Sequence, residues 1–524
     1  MAKKVDIALI DRIKDKLSNL TLESKQRLKD CAYIDLRVGV GEGQGAAAQD
    51  GMRKFSLRDY RLSYGVRAIA GGGTPAAGYF GQSLGAADVD NLPEVIQAGL
   101  HKAYDRAMAN AEMKSQRKKT WEVLGQSLQG TELAPIEVRQ DTIPGVYSVN
   151  PVEVPLEEVS KLAQEVSRAV AAYDSRVKVN YVAAQTSLAR ELFVSSEGAN
   201  IDRTYALTQG FCVVVAVGSS GAQQQHYDAL GHQRGWEILT DGVDEELIKS
   251  KPLMQFALDL AADNVSLSET RACPSSDKEV AVVTDPHYNT LLVHEIIGHP
   301  TELDRALKLE TAYAGRSWLL RSLKENMLGK QIASPLVSAY SDPLLPGFGH
   351  YEYDDEGTPA SRVMHIDKGI FRGFMNSRQT AATLGVSPNG HFKATDASLV
   401  PLIRMSTTVF GAGQHDPQQM IKEIEHGYYL VGHRIPSISE SRENFRITAR
   451  KVFEIKNGQL GEMFRDGGMM ANTRDYLTSI DAVGNDLRLY PVPNCGKGQP
   501  MQVKRLGNGG PTLRGYARLV GGAK

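Results

Sequence analysis

Apolar residues follow a helical period near the start of the chain. Residues 5–30 predict an amphipathic helix, and the buried stripe consists of Ile7, Leu9, Ile10, Ile13 and Leu17. The same reasoning predicts helices over 92–118, 155–173 and 244–272. Runs rich in β-branched and aromatic residues predict strands at Ala32–Val40, Tyr60–Ala70, Gly78–Gln82 and, separated by turn residues, over 177–240.

Beyond residue 330 the pattern changes to short strands separated by glycine and proline, at Arg362–Ile366, Ile370–Asn376, Phe445–Ile455 and Gln459–Phe464. The predicted fold class is therefore α+β. An α/β N-terminal domain is expected over residues 1–240, with a mixed sheet and an irregular connector near 120–153. A β-rich C-terminal domain is expected over 241–524. A chain of 524 residues is long enough for two domains, each with its own core.

Charge and composition exclude several classes of partner. The formal net charge is −1, so no electrostatic argument favours nucleic-acid binding. The N-terminus has no apolar signal segment, and no apolar run of membrane-spanning length occurs, so we expect a cytoplasmic protein without a membrane anchor. Four widely separated cysteines in so long a chain argue against a disulfide scaffold.

The most informative chemistry lies in His294-Glu295-Ile296-Ile297-Gly298-His299. A strand predicted at Val280–Val283 leads into a helix over 286–299, which Asp285-Pro286 would cap. Histidines four residues apart share a helix face, but a separation of five aims them apart on a regular helix. A π-bulge could bring them together, and Gly298 and Pro300 favour such an irregularity.

The alternative interpretation is an ordinary helix with capped or solvated histidines and an exposed Glu295. Apolar neighbours argue against it, because an unpaired buried carboxylate is costly whereas one beside a metal is compensated. A catalytic zinc site needs a third protein ligand. Cys31 and Cys212 are expected to be buried structural thiols, and Cys273 is a weak candidate. Cys495 lies in a polar, glycine-rich segment with little packing reason for a thiol.

Three other features carry weaker signals. His287 is two helical turns before His294, too far to share one ion. The segment 354–357, Asp-Asp-Glu-Gly, resembles part of a calcium loop but is expected to be a turn between strands. The glycine-rich segments Gly39–Gly45 and Gly71–Gly73 lack the ending of a phosphate-binding loop and are expected to be hairpin connections.

Four motifs together resemble a known family. HEIIGHPTE (294–302), YDDEGTPA (353–360), GNDL (484–487) and NCGKGQP (494–500) occur in this order in the TldD/PmbA family, and the resemblance to its TldD branch covers most of the chain. It implies zinc bound by His294, His299 and Cys495, with Glu295 activating the water. It also implies unstructured peptides as substrates, and a dimer that encloses the active sites, either of this chain alone or with a PmbA/TldE-like partner.

Two residues depart from the family pattern, and one more has an open role. Pro300 stands where a small residue such as glycine is expected, which could alter entry to the metal. Thr407 stands where relatives often have asparagine, in a segment expected near the substrate groove, so it bears on substrate preference. Glu302 could orient His299 from behind, as metal-bound histidines require, or could pair with Arg305 on the surface.

These observations favour a zinc-dependent peptidase with Glu295 as the general base. A non-enzymatic scaffold or partner subunit with a structural zinc is the competing class, and it would be expected to close the metal shell with four protein ligands. A zinc amidohydrolase acting on small molecules is a second enzyme alternative. The number of protein ligands to the zinc distinguishes the peptidase from the scaffold. A screen against peptides and small amides distinguishes the peptidase from the amidohydrolase.

Overall fold

The computed structural model describes residues 5–123, 130–313 and 315–522. Helices and strands mix throughout, which confirms the α+β class. Strands assemble into one large sheet in the first half of the chain, and into a barrel and a second sheet in the second half. No helix in the described ranges is both long enough and apolar enough to cross a membrane.

The first half is built around one long, twisted antiparallel sheet. Its elements are α1 Leu9–Arg27, β1 Cys31–Gln49, β2 Met52–Ala70, β3 Ala76–Ser83, α2 Leu92–Val123, β4 Gln140–Ile143, α3 Leu156–Tyr173, β5 Val177–Ser195, β6 Asn200–Val217 and β7 Gln223–His232. The strand order is β3-β2-β1-β5-β6, and β7 and the parallel β4 both pair with β6. Helices α1 and α2 share a hydrophobic core with β1 and β2, while α3 shares another with β1, β5, β6 and the later helix Leu253–Ser268.

Most of the predicted helices and strands in this half are confirmed, but the glycine-rich segment Gly39–Gly45 is not a hairpin connection. It lies inside β1 and pairs with β2 on one side and β5 on the other. The sheet supplies backbone hydrogen bonds on both edges, which compensates for the weak strand propensity of glycine. Gly71–Gly73 does connect β2 to β3, as predicted. In the predicted connector, residues 120–123 belong to α2, residues 124–129 lie outside the described residues, and residues 130–153 are irregular apart from β4.

A short linking region joins the halves. The helix predicted over 244–272 is shorter, because a small hairpin precedes it and Pro252 forms its N-cap. Proline is tolerated where a helix begins but not inside one. The elements are α4 Glu237–Thr240, β8 Val243–Asp244, β9 Lys249–Ser250 and α5 Leu253–Ser268.

The second half contains a closed barrel. Its strands are β10 Glu279–Thr284, β17 His426–Ile438, β18 Asn444–Lys456, β20 Gly468–Asn472 and β24 Leu513–Val520. They pair in that order, and β24 pairs back onto β10, which removes both sheet edges. The parallel β10–β17 pair is followed by antiparallel pairs. A second sheet has the order β13-β12-β11-β16-β23-β22. Helix α6 contacts both the barrel strand β17 and the second-sheet strands β22 and β23.

The remaining elements complete this half. Predicted strands at Phe445–Ile455 and Gln459–Phe464 are confirmed, whereas the strand predicted at Ile370–Asn376 covers only two residues. The elements are β10 Glu279–Thr284, α6 Pro286–Val293, α7 Leu303–Ala306, β11 Ala339–Ser341, β12 Val363–Asp367, β13 Ile370–Phe371, α8 Arg378–Leu384, β14 Phe392–Lys393, β15 Leu402–Ile403, β16 Thr407–Phe410, α9 Pro417–Lys422, β17 His426–Ile438, β18 Asn444–Lys456, β19 Gln459–Phe464, β20 Gly468–Asn472, α10 Thr473–Ser479, β21 Ala482–Val483, β22 Arg488–Lys497, β23 Gln502–Gly510 and β24 Leu513–Val520.

Candidate metal centre

Helix α6 is anchored before it reaches the site. The Asp285 carboxylate accepts the backbone N–H of Tyr288 at 2.7 Å and that of Gly432 in β17 at 2.9 Å. Pro286 occupies the first turn, as the sequence predicts. Tyr288 is fully buried, and its hydroxyl donates to the carbonyl of Ile447 in β18 at 2.8 Å. These contacts fix the helix against the barrel.

The predicted wide turn follows directly. Residues His294–Gly298 form a π-helical turn in which the backbone N–H of His299 donates to the carbonyl of His294. This closure adds one residue to the turn, so histidines five apart lie on the same side. The two imidazole centroids are 4.7 Å apart and the rings are almost perpendicular, at 85°.

Gly298 serves this turn for a different reason from the one expected. Its φ of −59° is an ordinary right-handed helical value, so no glycine freedom is needed. Instead, Met405 Sδ occupies the position that a Cβ atom would take. Pro300 lies in the short 3₁₀ turn His299–Thr301 that ends the helix, and its carbonyl accepts the Ser317 hydroxyl at 2.6 Å.

Cys495 completes a group of possible metal ligands. Donor atoms of His294, His299 and Cys495 all lie within 4.8 Å of one another, and the three residues are buried. Cys495 Sγ lies 3.7 Å from His299 Nε2. Within the described ranges this group does not include Cys273, the other candidate thiol. Burial raises the pKa of Cys273 to about 12, which disfavours the thiolate that a metal needs.

The protonation states of the group fit a divalent cation. Burial alone would raise the pKa of Cys495, but the His299 imidazole and the Arg404 guanidinium lower it below its ordinary value. Arg404 also donates to the Cys495 carbonyl at 2.6 Å. Burial lowers the pKa of His294, which favours the neutral imidazole. Thiolate and neutral imidazole are the forms that bind metal ions.

Each imidazole is also held from its far side. His299 Nδ1 lies 3.0 Å from Glu302 Oε2, and His294 Nδ1 lies 2.7 Å from the amide nitrogen of Asn508. With Nδ1 of His299 engaged by Glu302, its Nε2 faces Cys495 Sγ and remains for a ligand. Glu302 combines the two expected roles, because it also accepts from Arg305 Nε at 2.8 Å. That ion pair is not on the surface, since Glu302 and Arg305 are both fully buried.

Glu295 is buried beside the group and pairs with Arg442, whose Nη1 contacts its Oε2. Burial would raise the pKa of Glu295, but His299, His294 and Arg442 together hold it below its ordinary value. The carboxylate is therefore ionised and able to accept a proton. Arg442 adopts a positive φ of 69°, and the Thr473 hydroxyl donates to its carbonyl at 2.7 Å.

Sequence reasoning missed several of these supporting residues. Arg442 is 147 positions from Glu295, and no local pattern marks it. Asn508 carries a signal, because an amide between Gly507 and Gly509 in a buried strand has no packing reason to be there. Residues 404–408, which include Thr407, are all fully buried. The effect of Thr407 on substrate preference stays a prediction.

The fold and the buried imidazole–thiolate–carboxylate cluster define the class as a candidate metalloenzyme. Comparison with known proteins identifies its family. The model of the PmbA/TldA metallopeptidase C-terminal domain matches residues 277–514, and the model of the central domain matches residues 149–265. The chain belongs to the PmbA/TldD family of metallopeptidases.

Relatives agree with this assignment. A metalloprotease from Methanothermobacter thermautotrophicus is 32% identical over 71% of this chain and 76% of its own length. A zinc metalloprotease TldD homolog from Saccharolobus solfataricus is 30% identical over 47% of this chain and 52% of its own length. The crystal structure of TldE from Thermococcus kodakarensis has the same fold, with a TM-score of 0.69 at 17% identity over 96% of this chain and 99% of that one.

Proposed function

We propose that this chain is a zinc-dependent peptidase that hydrolyses peptide bonds in unstructured peptides. The observation that carries the proposal is the buried group of His294, His299 and Cys495 beside the ionised Glu295. In the described ranges the group has three members. A structural zinc normally takes four protein ligands, whereas a catalytic zinc takes three and keeps one position open. The arrangement therefore favours an enzyme over a scaffold.

The residues divide the work between them. His294, His299 and Cys495 would hold the zinc, which supplies Lewis-acid polarisation of the scissile carbonyl and acidifies water. Glu295 accepts a proton from the attacking water and returns it to the leaving amine. Arg442 holds the Glu295 carboxylate in position, and Glu302 fixes the orientation of the His299 ring.

Substrate class and assembly are further parts of the proposal. The family resemblance supports unstructured peptides as substrates and a dimer as the working form. The structural similarity to TldE supports a partnership with a TldE-like chain, with a homodimer as the alternative. A dimer whose active sites face an enclosed space would admit extended peptides and exclude folded proteins.

Glu295→Gln tests the proposal, because glutamine keeps the shape of the side chain but cannot accept the proton. Peptide cleavage should fall by at least about 10²-fold while bound zinc stays constant. Glu325→Gln is the matched control, since Glu325 is exposed and pairs only with Arg321 at the surface among the described residues. Undiminished cleavage by a zinc-loaded Glu295→Gln protein would remove Glu295 from its role.

A mass-spectrometric screen against unstructured peptides and small amides distinguishes the two kinds of hydrolase. Cleavage of peptides alone supports the proposal. Cleavage of small amides alone would replace it with an amidohydrolase.

A further inference from the structure

A cationic cavity lies beside the hairpin that carries Cys495. Its volume is about 100 Å³. Its lining includes four basic side chains, one acidic side chain and two tyrosine rings, and these are Arg203, Lys393, Lys504, Arg505, Glu191, Tyr205 and Tyr351. None of these charged residues belongs to the metal centre, so their excess of positive charge has no role in the mechanism described above.

Three of the four cations already have partners. Lys393 contacts the Asp355 carboxylate and lies 3.8 Å from Glu191. Arg203 donates to Glu352 at 3.0 Å. Arg505 donates to the amide oxygen of Gln209 at 3.1 Å.

Lys504 differs from the others. Over the described part of the chain, no carboxylate lies within ion-pair distance of its ammonium group, which sits 5.0 Å from the centre of the Tyr351 ring. Lys393 lies 5.2 Å from the same ring. Burial, together with the charge of Lys393, lowers the pKa of Lys504 well below its ordinary value. The carboxylates of Asp355 and Glu191 act in the opposite direction, and a further carboxylate entering the cavity would raise this pKa and pair with the protonated amine.

The strand register places Lys504 next to a residue of the metal centre. Lys504 in β23 lies directly opposite Cys495 in β22. Side chains of directly opposed residues in an antiparallel pair lie on the same face of the sheet. Arg404 reinforces this connection, because it donates to the carbonyls of both Cys495 and Gln502.

A second cavity of about 280 Å³ continues from the first and shares Tyr205, Leu207, Thr395 and Arg505 with it. Its floor includes the alternating glycines of β1, Gly41, Gly43 and Gly45. Because alternate residues of a strand face the same side, these glycines add no side chains of their own to the floor, and the neighbouring side chains of Ser187 and Gln185 lie close beside them. The partly exposed backbone of β1 along this cavity suits an extended peptide.

We infer that Lys504 binds a carboxylate of the peptide substrate, while the adjoining part of the peptide lies over the glycine floor. The inference rests on the proposed peptidase function. The carboxylate belongs either to the C-terminus of the peptide or to an Asp or Glu side chain. Lys504 is a specificity-determining residue in this proposal, because it selects which peptides reach the metal centre.

Peptide binding tests the inference in the Glu295→Gln background, where cleavage does not interfere. The probe is one short unstructured peptide in three forms: a free C-terminal carboxylate, a C-terminal amide, and that amide with one Gln replaced by Glu. At least one carboxylate form should bind about tenfold more tightly than the plain amide, and Lys504→Gln should abolish this preference. Lys504→Arg should retain most of it, and Lys324→Gln, at an exposed lysine, should leave it intact.

The outcomes identify the source of the carboxylate. A preference for the free C-terminus assigns the cavity to the chain end, and a preference for the Glu form assigns it to a side chain. Equal binding of all three forms, no measurable binding, or a preference that survives Lys504→Gln would overturn the inference. The thermal midpoint of Lys504→Gln should match that of the parent, because no ion pair is lost.

Cleavage by the unmodified chain is measured separately. Binding that depends on Lys504 without any cleavage would refute the peptidase and leave the carboxylate site standing. Cleavage without a role for Lys504 would refute the carboxylate site and leave the proposed peptidase function standing.

Discussion

Buried charges around His299 form one connected network. Glu302 contacts His299 and Arg305 and lies 3.3 Å from Lys497, and Lys497 donates to Asp304 at 2.7 Å. Removing one member of a buried network leaves its partners charged and uncompensated, which costs more than the pair contributes. The network therefore holds the His299 ring in one orientation, with Nδ1 engaged and Nε2 directed to the side of Cys495.

Metal content tests whether Cys495 is the third ligand. Cys495→Ala should lose most of the bound zinc, because two imidazoles alone bind zinc weakly. Cys495→Ser should recover little, since a hydroxyl loses its proton far less readily than a thiol. Cys273→Ala is the control and should keep about one zinc per chain. Metal analysis of the purified proteins gives the answer, and full occupancy in Cys495→Ala would contradict the His-His-Cys site.

At the scale of elements, regular helices and the π turn could be predicted from the sequence, whereas long-range partners could not. The apolar period of α3 places the helix almost correctly, and the five-residue histidine spacing with Gly298 and Pro300 points to the wide turn. The prediction of a hairpin connection at Gly39–Gly45 was wrong, because the strand character of this segment comes from pairing with β2 and β5 on its two edges. Arg442 enters the site from a loop after β17, which only the tertiary structure reveals. The domain boundary near residue 240 stays a prediction.

The π turn should depend on the absence of a side chain at position 298. Gly298→Ala places a methyl group where Met405 Sδ lies, so stability should fall by about 1–3 kcal/mol, and zinc binding should weaken. Combining it with Met405→Ala should cost less than the sum of the single changes, because the shorter side chain vacates that position. Urea unfolding of the single and double variants measures the coupling.

Gly73→Ala is the control for this series, since nothing lies within 4 Å of the Cβ position there. Additive effects of Gly298→Ala and Met405→Ala on stability would show that the close contact with Met405 is not the reason why position 298 requires glycine.

Strand β12 should make stability depend on pH. His365 is fully buried, and burial lowers its pKa to about 4. The unfolded chain binds a proton there near pH 6.5 while the folded chain does not, so stability is full above that pH and declines as the pH falls towards 4. Between pH 7 and pH 5 this residue should cost about 2 kcal/mol.

Urea unfolding at both pH values measures this dependence in the parent and in His365→Gln. The variant should lose less stability on acidification, whatever its stability at pH 7. His101→Gln, at an exposed position in α2, should behave like the parent. An identical pH response in parent and His365→Gln would exclude His365 as the source.

At the scale of the molecule, the site lies deep between the barrel and the second sheet. The three ligand candidates have at most 5% exposure, so under the proposed function we expect a folded protein surface to be unable to reach them. One protein offered in folded and denatured forms should be cleaved only when denatured, and gel electrophoresis over time measures both rates. Equal rates would show that the site is open to folded surfaces.

Closure of the barrel by β24 has a consequence for the protein's own synthesis. Strand β10 begins at Glu279, yet its partner strand begins at Leu513, and Cys495 lies just before that partner. A ribosome adding roughly 5–20 residues per second needs on the order of 10–50 s to cover this interval. During most of that time, over the 196 positions from His299 to Cys495, both histidines have been made without their thiol. The growing chain thus cannot assemble its three-residue metal centre before Cys495 is made. Under the proposed peptidase function, neighbouring nascent peptides are spared until then.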